Sequence, residues 1–159
     1  MSHLFALVVL TFVGAAHLTT ADRINLGSFR GFAHGVKSGN VYILDDKTIE
    51  IQNYHYDGAG PAAWFVVGRD NKYTQEYVRL PYMAIVPDEN GSCSRPQRYW
   101  GKTLRLSLPG KFTTADISYL SMYCIKYGHN FGYVSIPNGI RASKSRQSYR
   151  TRECQRPRE

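Results

Sequence analysis

Apolar and polar residues alternate with a period of two through the middle of the chain. The pattern is unbroken over residues 103–108 and stops at Pro109 and Gly110. Residues 41–44 and 48–52 repeat it on either side of a short polar turn. Because successive side chains of a strand point to opposite faces of a sheet, alternation of this kind predicts half-buried strands, and the pair around the turn predicts a hairpin.

Two further segments extend the β pattern. Residues 63–67 are an uninterrupted apolar run, which indicates a strand buried on both faces or at a sheet centre, and residues 132–137 close the domain. Turn formers are frequent, with 14 Gly and 7 Pro, and no window shows the apolar stripe of a helix. The sequence therefore predicts an all-β fold, an antiparallel β-sandwich or a barrel-like single domain over residues 22–137.

The N-terminus has the pattern of a secretory signal peptide. Residues 4–16 are apolar and uncharged, and Thr19 and Ala21 are small residues at the positions that precede a cleavage site. We expect residues 1–21 to be removed, with cleavage after Ala16 as the alternative. A membrane anchor is the other interpretation, but the run is short for a bilayer core of about 30 Å. The mature chain is then secreted, extracellular and without a transmembrane segment.

The C-terminal residues 138–159 are basic and poor in apolar side chains. They carry seven basic residues against two acidic ones, out of a net charge of +8 for the whole chain. Such a segment buries too little apolar surface to offset its ordering entropy, so we expect a disordered tail that the fold does not need. A basic tail can bind polyanions, although it can also serve only as a solvated segment. The candidate polyanion-binding residues are Arg141, Lys144, Arg146, Arg150, Arg152, Arg156 and Arg158.

Generic catalytic signatures are missing from the sequence. It contains no nucleophile elbow, no phosphate-binding loop, no metalloprotease helix and no paired cysteine motif. We therefore do not expect a stand-alone enzyme.

A series of short sequence segments nevertheless resembles, in the same order, one family, the DM13 domains of Skeletor-type animal proteins, over about residues 26–137. The segments that carry the resemblance are residues 32–36, 38–41, 49–54, 56–61, 64–68, 86–91, 106–110, 116–117, 120–124 and 130–137.

The resemblance implies an extracellular, mostly β module with an electron-transfer or redox role centred on one cysteine, either as a bare thiol or as a ligand to a group such as haem. That cysteine matches Cys124. Alternation places Met122 on the same face, and a histidine such as His34 or His129 brought near by folding would complete a set of soft ligands. Haem is one candidate cofactor, and the sequence requires none. The alternatives are a buried, unreactive Cys124, a core Met122 and a hydrogen-bonded loop role for His34.

An exported protein is expected to form disulfides, and with three cysteines either one stays unpaired or two molecules are joined. The match of Cys124 to the family position, together with a tail able to reach Cys93, favours a Cys93–Cys154 disulfide with Cys124 free. A Cys93–Cys124 disulfide is the alternative.

Three polar positions are also candidates. Asp57 and Asp88 offer hard oxygen ligands for a metal such as Ca²⁺, although aspartates at such positions also build ordinary turns. Asn90 begins a glycosylation sequon.

Two functions follow. The first is a secreted redox or electron-transfer accessory that acts through Cys124. The alternative is a non-catalytic module that binds the extracellular matrix or cell surface with exposed aromatic side chains and the basic tail. The expected partners are extracellular proteins or acidic glycans rather than nucleic acid, and the oligomeric state stays open.

Overall fold

The computed structural model describes residues 22–146 and 151–157, and these are nearly all β. Among them there is no α-helix, and a single 3-10 turn covers Lys72–Thr74. No helix in these two ranges is long and apolar enough to cross a membrane. The predicted signal peptide lies outside the described residues, as do Arg150 and Arg158.

In the part of the chain that the structure describes, nine strands form two antiparallel sheets, which confirms the predicted all-β sandwich. The four-stranded sheet has the order β1-β3-β4-β7, and the five-stranded sheet has the order β2-β9-β8-β5-β6. The strands are β1 (Ile24–Ser28), β2 (Arg30–Gly31), β3 (Asn40–Ile43), β4 (Thr48–Tyr56), β5 (Ala63–Gly68), β6 (Ala84–Val86), β7 (Tyr99–Ser107), β8 (Tyr119–Cys124) and β9 (His129–Ser135).

The predicted hairpin is the β3–β4 pair, in which Val41 lies opposite Ile51. Both side chains are fully buried, as the alternation predicts. The inner faces of the two sheets share one large apolar core. Full burial of an aliphatic side chain of this size contributes about 2 kcal/mol, so the alternating strands are the main source of stability.

The apolar run at residues 63–67 forms β5, which is buried on both faces. Phe65 and Val67 join the core between the sheets, whereas Val66 joins a second cluster on the outer face of the five-stranded sheet. Leu80 and Tyr82 from the segment between β5 and β6 pack over that outer face. An unbroken apolar run is needed because this strand has no solvent-facing side.

The described residues of the tail contact the domain. Ile140 and Ala142 pack against the core, Thr151 accepts a backbone hydrogen bond of 3.0 Å from Gly110, and Cys154 forms a β-bridge with Ile85. The composition did not predict these contacts, because they depend on backbone hydrogen bonds and one disulfide more than on apolar area. The domain boundary at residue 137 and the disorder of the tail stay predictions.

Candidate functional site

Cys124 is the last residue of β8 and is 1% exposed. Its side chain lies in the inner core together with Leu120 and Met122, whereas Tyr119 and Tyr123 belong to the outer cluster. This is the alternation read from the sequence. Cys124 is the free cysteine of the chain, because Cys93 and Cys154 form a disulfide.

His129 begins β9 directly opposite Cys124. Directly opposed residues of an antiparallel pair project to the same face, with Cβ atoms about 5 Å apart. The His129 Nε2 atom lies 3.0 Å from Oε1 of Glu76, and the ring of Tyr77 stacks on the imidazole at 4.4 Å between centroids. Tyr77 is 76% exposed, so this stack joins the surface to the buried end of β8.

His34 stands at the same end of the sandwich, in a left-handed conformation with φ of 55°. Its Nδ1 atom is 3.1 Å from both carboxylate oxygens of Asp57, and its carbonyl accepts a 3.0 Å hydrogen bond from the Asp57 amide. The ring packs 4.0 Å from that of Phe131 and 6.3 Å from that of His129. His34 therefore has the hydrogen-bonded loop role given above as its alternative, and it also lies beside the second histidine.

We call the rings of His34, Tyr56, Tyr77, His129 and Phe131 the histidine-aromatic cluster. Tyr56 and Phe131 are stacked at 6.3 Å, and His129 and Phe131 meet edge to face at 4.8 Å. The Tyr56 hydroxyl accepts a 2.9 Å hydrogen bond from the Gly60 amide. A methyl group at Gly60 would lie 2.5 Å from that hydroxyl and from Phe131 Cε2, so glycine is required where the loop closes over the cluster.

Within the cluster, the surroundings of Tyr56 keep its hydroxyl protonated. Burial raises the pKa of Tyr56; the hydrogen bond from Gly60 lowers it, and the neighbouring Asp57 and Cys124 raise it again. The net effect is a raised pKa.

The arrangement of Met122 and Cys124 does not fit a haem. Met122 is 0% exposed and lies between Phe65 on β5 and Gly132 on β9, inside the closed core. A haem needs an open cavity of several hundred cubic ångströms beside its axial ligand. The described cavities lie instead around Glu89, Asp70 and Tyr82, and neither Met122 nor Cys124 lines any of them. No step is therefore assigned to haem.

The carboxylates of the two candidate metal-binding aspartates accept hydrogen bonds from backbone amides within their own turns. Asp57 Oδ1 accepts a hydrogen bond of 2.7 Å from the Ala59 amide, and Asp88 Oδ1 accepts bonds of 2.9 and 2.8 Å from the amides of Asn90 and Ser92. In residues 22–146 and 151–157 no three His, Cys, Asp or Glu side chains are grouped to hold a metal. Asn90, the glycosylation candidate, is exposed in this turn.

The disulfide joins the tail to the rim of the five-stranded sheet. Trp64 donates an Nε1 hydrogen bond of 3.1 Å to the Cys93 carbonyl, and Arg156 donates one of 3.0 Å to the Tyr82 carbonyl. The guanidinium of Arg156 lies 4.6 Å above the Tyr82 ring. The described basic residues of the tail are all exposed, namely Arg141, Lys144, Arg146, Arg152 and Arg156.

Sequence reasoning missed Asn130, which is 0% exposed and fully hydrogen-bonded. Its amide nitrogen donates to the carbonyls of Tyr73 (2.7 Å) and Gln75 (3.1 Å), and its oxygen accepts from the Ser121 hydroxyl (2.8 Å). These bonds fix the segment that carries Glu76 and Tyr77 beside His129. A polar residue inside an otherwise apolar strand was the signal that could have identified it.

Comparison with known proteins identifies the family of the chain. The family model described as Electron transfer DM13 matches residues 28–136. Protein Skeletor of Drosophila melanogaster is 37% identical over 120 residues in its isoforms B/C, which covers 76% of this chain and 14% of that protein. Isoforms D/E are also 37% identical over 120 residues, which is 76% of this chain but 8% of that protein. No solved structure matches the chain. The chain belongs to the DM13 family.

Proposed function

We propose that this chain is a secreted electron-transfer module whose redox group is the Cys124 thiol. One observation carries the proposal: a free thiol, 1% exposed, lies directly opposite His129, which stacks on the exposed ring of Tyr77. The family description supports an electron-transfer role. The apolar N-terminus, the sequon and the disulfide support export.

Burial favours one kind of thiol chemistry over another. Thiol–disulfide exchange requires a thiolate to reach a partner's sulfur atom, so reactive cysteines are at least partly exposed. Cys124 lies inside the core and offers no such access. An electron can tunnel through a few ångströms of packed rings, so a one-electron reaction needs no contact between the sulfur and its partner.

The proposed step moves one electron and one proton away from Cys124. One electron leaves Cys124 through the histidine-aromatic cluster to a one-electron acceptor of the partner, such as a haem or flavin. The S–H proton passes to His129, which can take it at Nδ1 when Nε2–H donates to Glu76. The carboxylate of Glu76, 3.0 Å away, stabilises the resulting imidazolium. Reduction reverses both transfers.

Titration of the purified mature chain with hexachloroiridate(IV), a one-electron outer-sphere oxidant, tests the proposal. We expect the wild type to consume it in a fast phase that Cys124→Ala lacks, whereas Tyr42→Phe, which removes a phenol hydroxyl remote from the site, retains the phase. Equal consumption by wild type and Cys124→Ala rejects the proposal. Rapid reaction of the native thiol with an aromatic disulfide reagent also contradicts it, because that reaction requires an accessible sulfur.

A second candidate function is the binding of acidic glycans at the basic tail. The observation that favours it is the exposure of the described basic residues, with Arg156 held over Tyr82 two residues from the disulfide. Heparin retention is expected to fall steeply with salt and to disappear on truncation after Asn138. Retention that survives truncation places the site on the domain instead.

A further inference from the structure

We propose that Tyr99 is a second redox group of this protein, a tyrosine that loses one electron while its hydroxyl proton passes to Glu89. The inference rests on the proposed function, because Cys124 in its oxidised state supplies the oxidising equivalent. It extends that function by placing the end of the electron path on the four-stranded sheet, on the far side of the core.

The hydrogen bonds of Tyr99 provide the proton acceptor. The Tyr99 hydroxyl donates a 2.7 Å hydrogen bond to Oε2 of Glu89, and Oε1 of the same carboxylate lies 2.5 Å from Nζ of Lys102. The Glu89 side chain is 12% exposed, and Tyr99 is 5% exposed. An oxidised phenol is a strong acid, so in a site with little water it must have a base within hydrogen-bond reach.

Three other buried tyrosines of the described chain lack such a base. The hydroxyls of Tyr54 and Tyr119 have no hydrogen-bond partner, and Tyr123 donates to the carbonyl of Val78. A backbone carbonyl is a poor proton acceptor. Oxidation of these residues would strand a proton in the core, whereas oxidation of Tyr99 would not.

The protonation states of Tyr99 and Glu89 before oxidation suit a proton transfer from the first to the second. Burial raises the pKa of Tyr99, and the Glu89 carboxylate raises it further, so the phenol holds its proton. Burial also raises the pKa of Glu89, but hydrogen bonds from Lys102 and Tyr99 outweigh it and the net pKa is lowered. At neutral pH the donor is therefore protonated and the acceptor is charged.

Packed rings connect Tyr99 with the Cys124 end of the core. Tyr56 is the direct cross-strand partner of Tyr99 in the β4–β7 pair, and Tyr56 also stacks on Phe131 within the histidine-aromatic cluster. The ring of Tyr54 lies 5.7 Å from that of Tyr99 and 5.4 Å from that of Phe65. Tyr56 thus connects Tyr99 with the histidine-aromatic cluster, and Tyr54 connects it with Phe65.

The transfer conserves atoms and charge. The Cys124 thiyl radical takes one electron from Tyr99 and recovers its proton from the His129 imidazolium. Tyr99 becomes a neutral tyrosyl radical, and the proton from its hydroxyl converts the Glu89 carboxylate to the carboxylic acid.

Flash oxidation of the mature chain with photo-generated tris(bipyridine)ruthenium(III), followed by electron paramagnetic resonance, tests the inference. We expect a neutral tyrosyl signal that Tyr99→Phe removes and Tyr42→Phe retains. Glu89→Gln keeps the shape of the side chain but not the base, so radical formation is expected to slow on the order of a hundredfold, as for loss of a general base. A wild-type signal that survives in Tyr99→Phe overturns the inference, and so does an unchanged rate in Glu89→Gln.

Cys124→Ala separates this inference from the proposed function. If the Tyr99 signal appears much more slowly without Cys124, both stand. If it appears at the wild-type rate, Tyr99 is oxidised independently, which supports the tyrosine site and rejects Cys124 as the source of its oxidising equivalent. Loss of the Cys124-dependent phase of oxidant consumption is measured separately and does not depend on Tyr99.

Discussion

Cys124 and His129 lie directly opposite each other in the β8–β9 pair, so that a buried thiol and an imidazole share one face of the five-stranded sheet. The short β8–β9 connection brings the two residues together, since only four residues separate the strands. Each has a different relation to solvent: the thiol is enclosed, whereas the imidazole contacts the exposed ring of Tyr77. In the proposed function, this imidazole is the group that takes the proton of the thiol.

Replacement of the imidazole tests its role as proton acceptor. In His129→Gln, the amide still offers a hydrogen bond to Glu76 but is not a base, so we expect thiol-dependent oxidation to slow roughly a hundredfold. The free energy of unfolding should change by no more than about 1 kcal/mol. Stopped-flow oxidation measures the rate, and His55→Gln is the control on the other sheet. An equal loss in both variants would contradict the assignment.

Gly60→Ala tests the closure over the site. Its new methyl group would lie 2.5 Å from the Tyr56 hydroxyl and from Phe131, so the loop must move. Overpacking of this kind costs about 1–3 kcal/mol, and the displaced loop should expose the thiol. Urea denaturation and the rate of reaction with an aromatic disulfide reagent measure the two effects. Pro61→Ala in the same loop adds no atoms and should leave the thiol protected; similar rates in both variants would show that the loop does not shield it.

The Glu89 carboxylate should stabilise the fold at neutral pH and lose that effect in acid. Its folded-state pKa is lowered from 4.5, despite burial, by the hydrogen bonds from Lys102 and Tyr99. A lowered folded-state pKa gives stability that is present above the ordinary value and is lost as the pH falls through the folded-state value.

Glu89→Gln measures this contribution. At neutral pH we expect the variant to lower the free energy of unfolding by about 1–2 kcal/mol. The effect is small because Lys102 is half exposed, so that solvent screens its ion pair with Glu89. The difference from wild type should shrink in acid. Urea denaturation at both conditions checks it, with the exposed Asp22→Asn as control. A difference that does not depend on pH would show that the variant acts through packing.

Truncation after Asn138 is expected to destabilise the domain, contrary to what the composition of the tail predicts. The truncated chain loses the Cys93–Cys154 disulfide, which closes a 61-residue separation. Loop-closure entropy assigns about 4 kcal/mol to a loop of that length. The double variant Cys93→Ser, Cys154→Ser isolates this contribution in thermal melts. If the truncated chain melts like the full chain, the tail contacts contribute nothing to stability.

Local pattern was enough to predict the strands, but contacts distant in sequence determine the site. The alternation over residues 103–108 reflects a strand with one buried face, and the unbroken apolar run at residues 63–67 reflects a strand buried on both faces. Each pattern is visible in a short window of sequence. The pairs His34–Asp57 and Tyr99–Glu89 are instead 23 and 10 residues apart, and no motif links their members. They meet because two sheets pack face to face, which a single sequence does not specify residue by residue. The family resemblance indicated Cys124, whereas the structure identified the residues around it.

Asn130→Ala should both destabilise the fold and disturb the site. The Asn130 side chain is buried, and its loss leaves the carbonyls of Tyr73 and Gln75 and the hydroxyl of Ser121 without their partners. Unsatisfied buried groups cost about 1–3 kcal/mol each before relaxation, so a total of roughly 3 kcal/mol is expected.

The same bonds position Glu76 and Tyr77 against His129, so thiol-dependent oxidation should slow in Asn130→Ala even in the fraction that remains folded. Urea denaturation gives the stability, and stopped-flow oxidation of the folded protein gives the rate. Asn71→Ala, at the start of the same segment but without a side-chain cap hydrogen bond, is the matched control. A stable Asn130→Ala variant would mean that the segment is held by other contacts, and an unchanged rate would remove Tyr77 from the electron path.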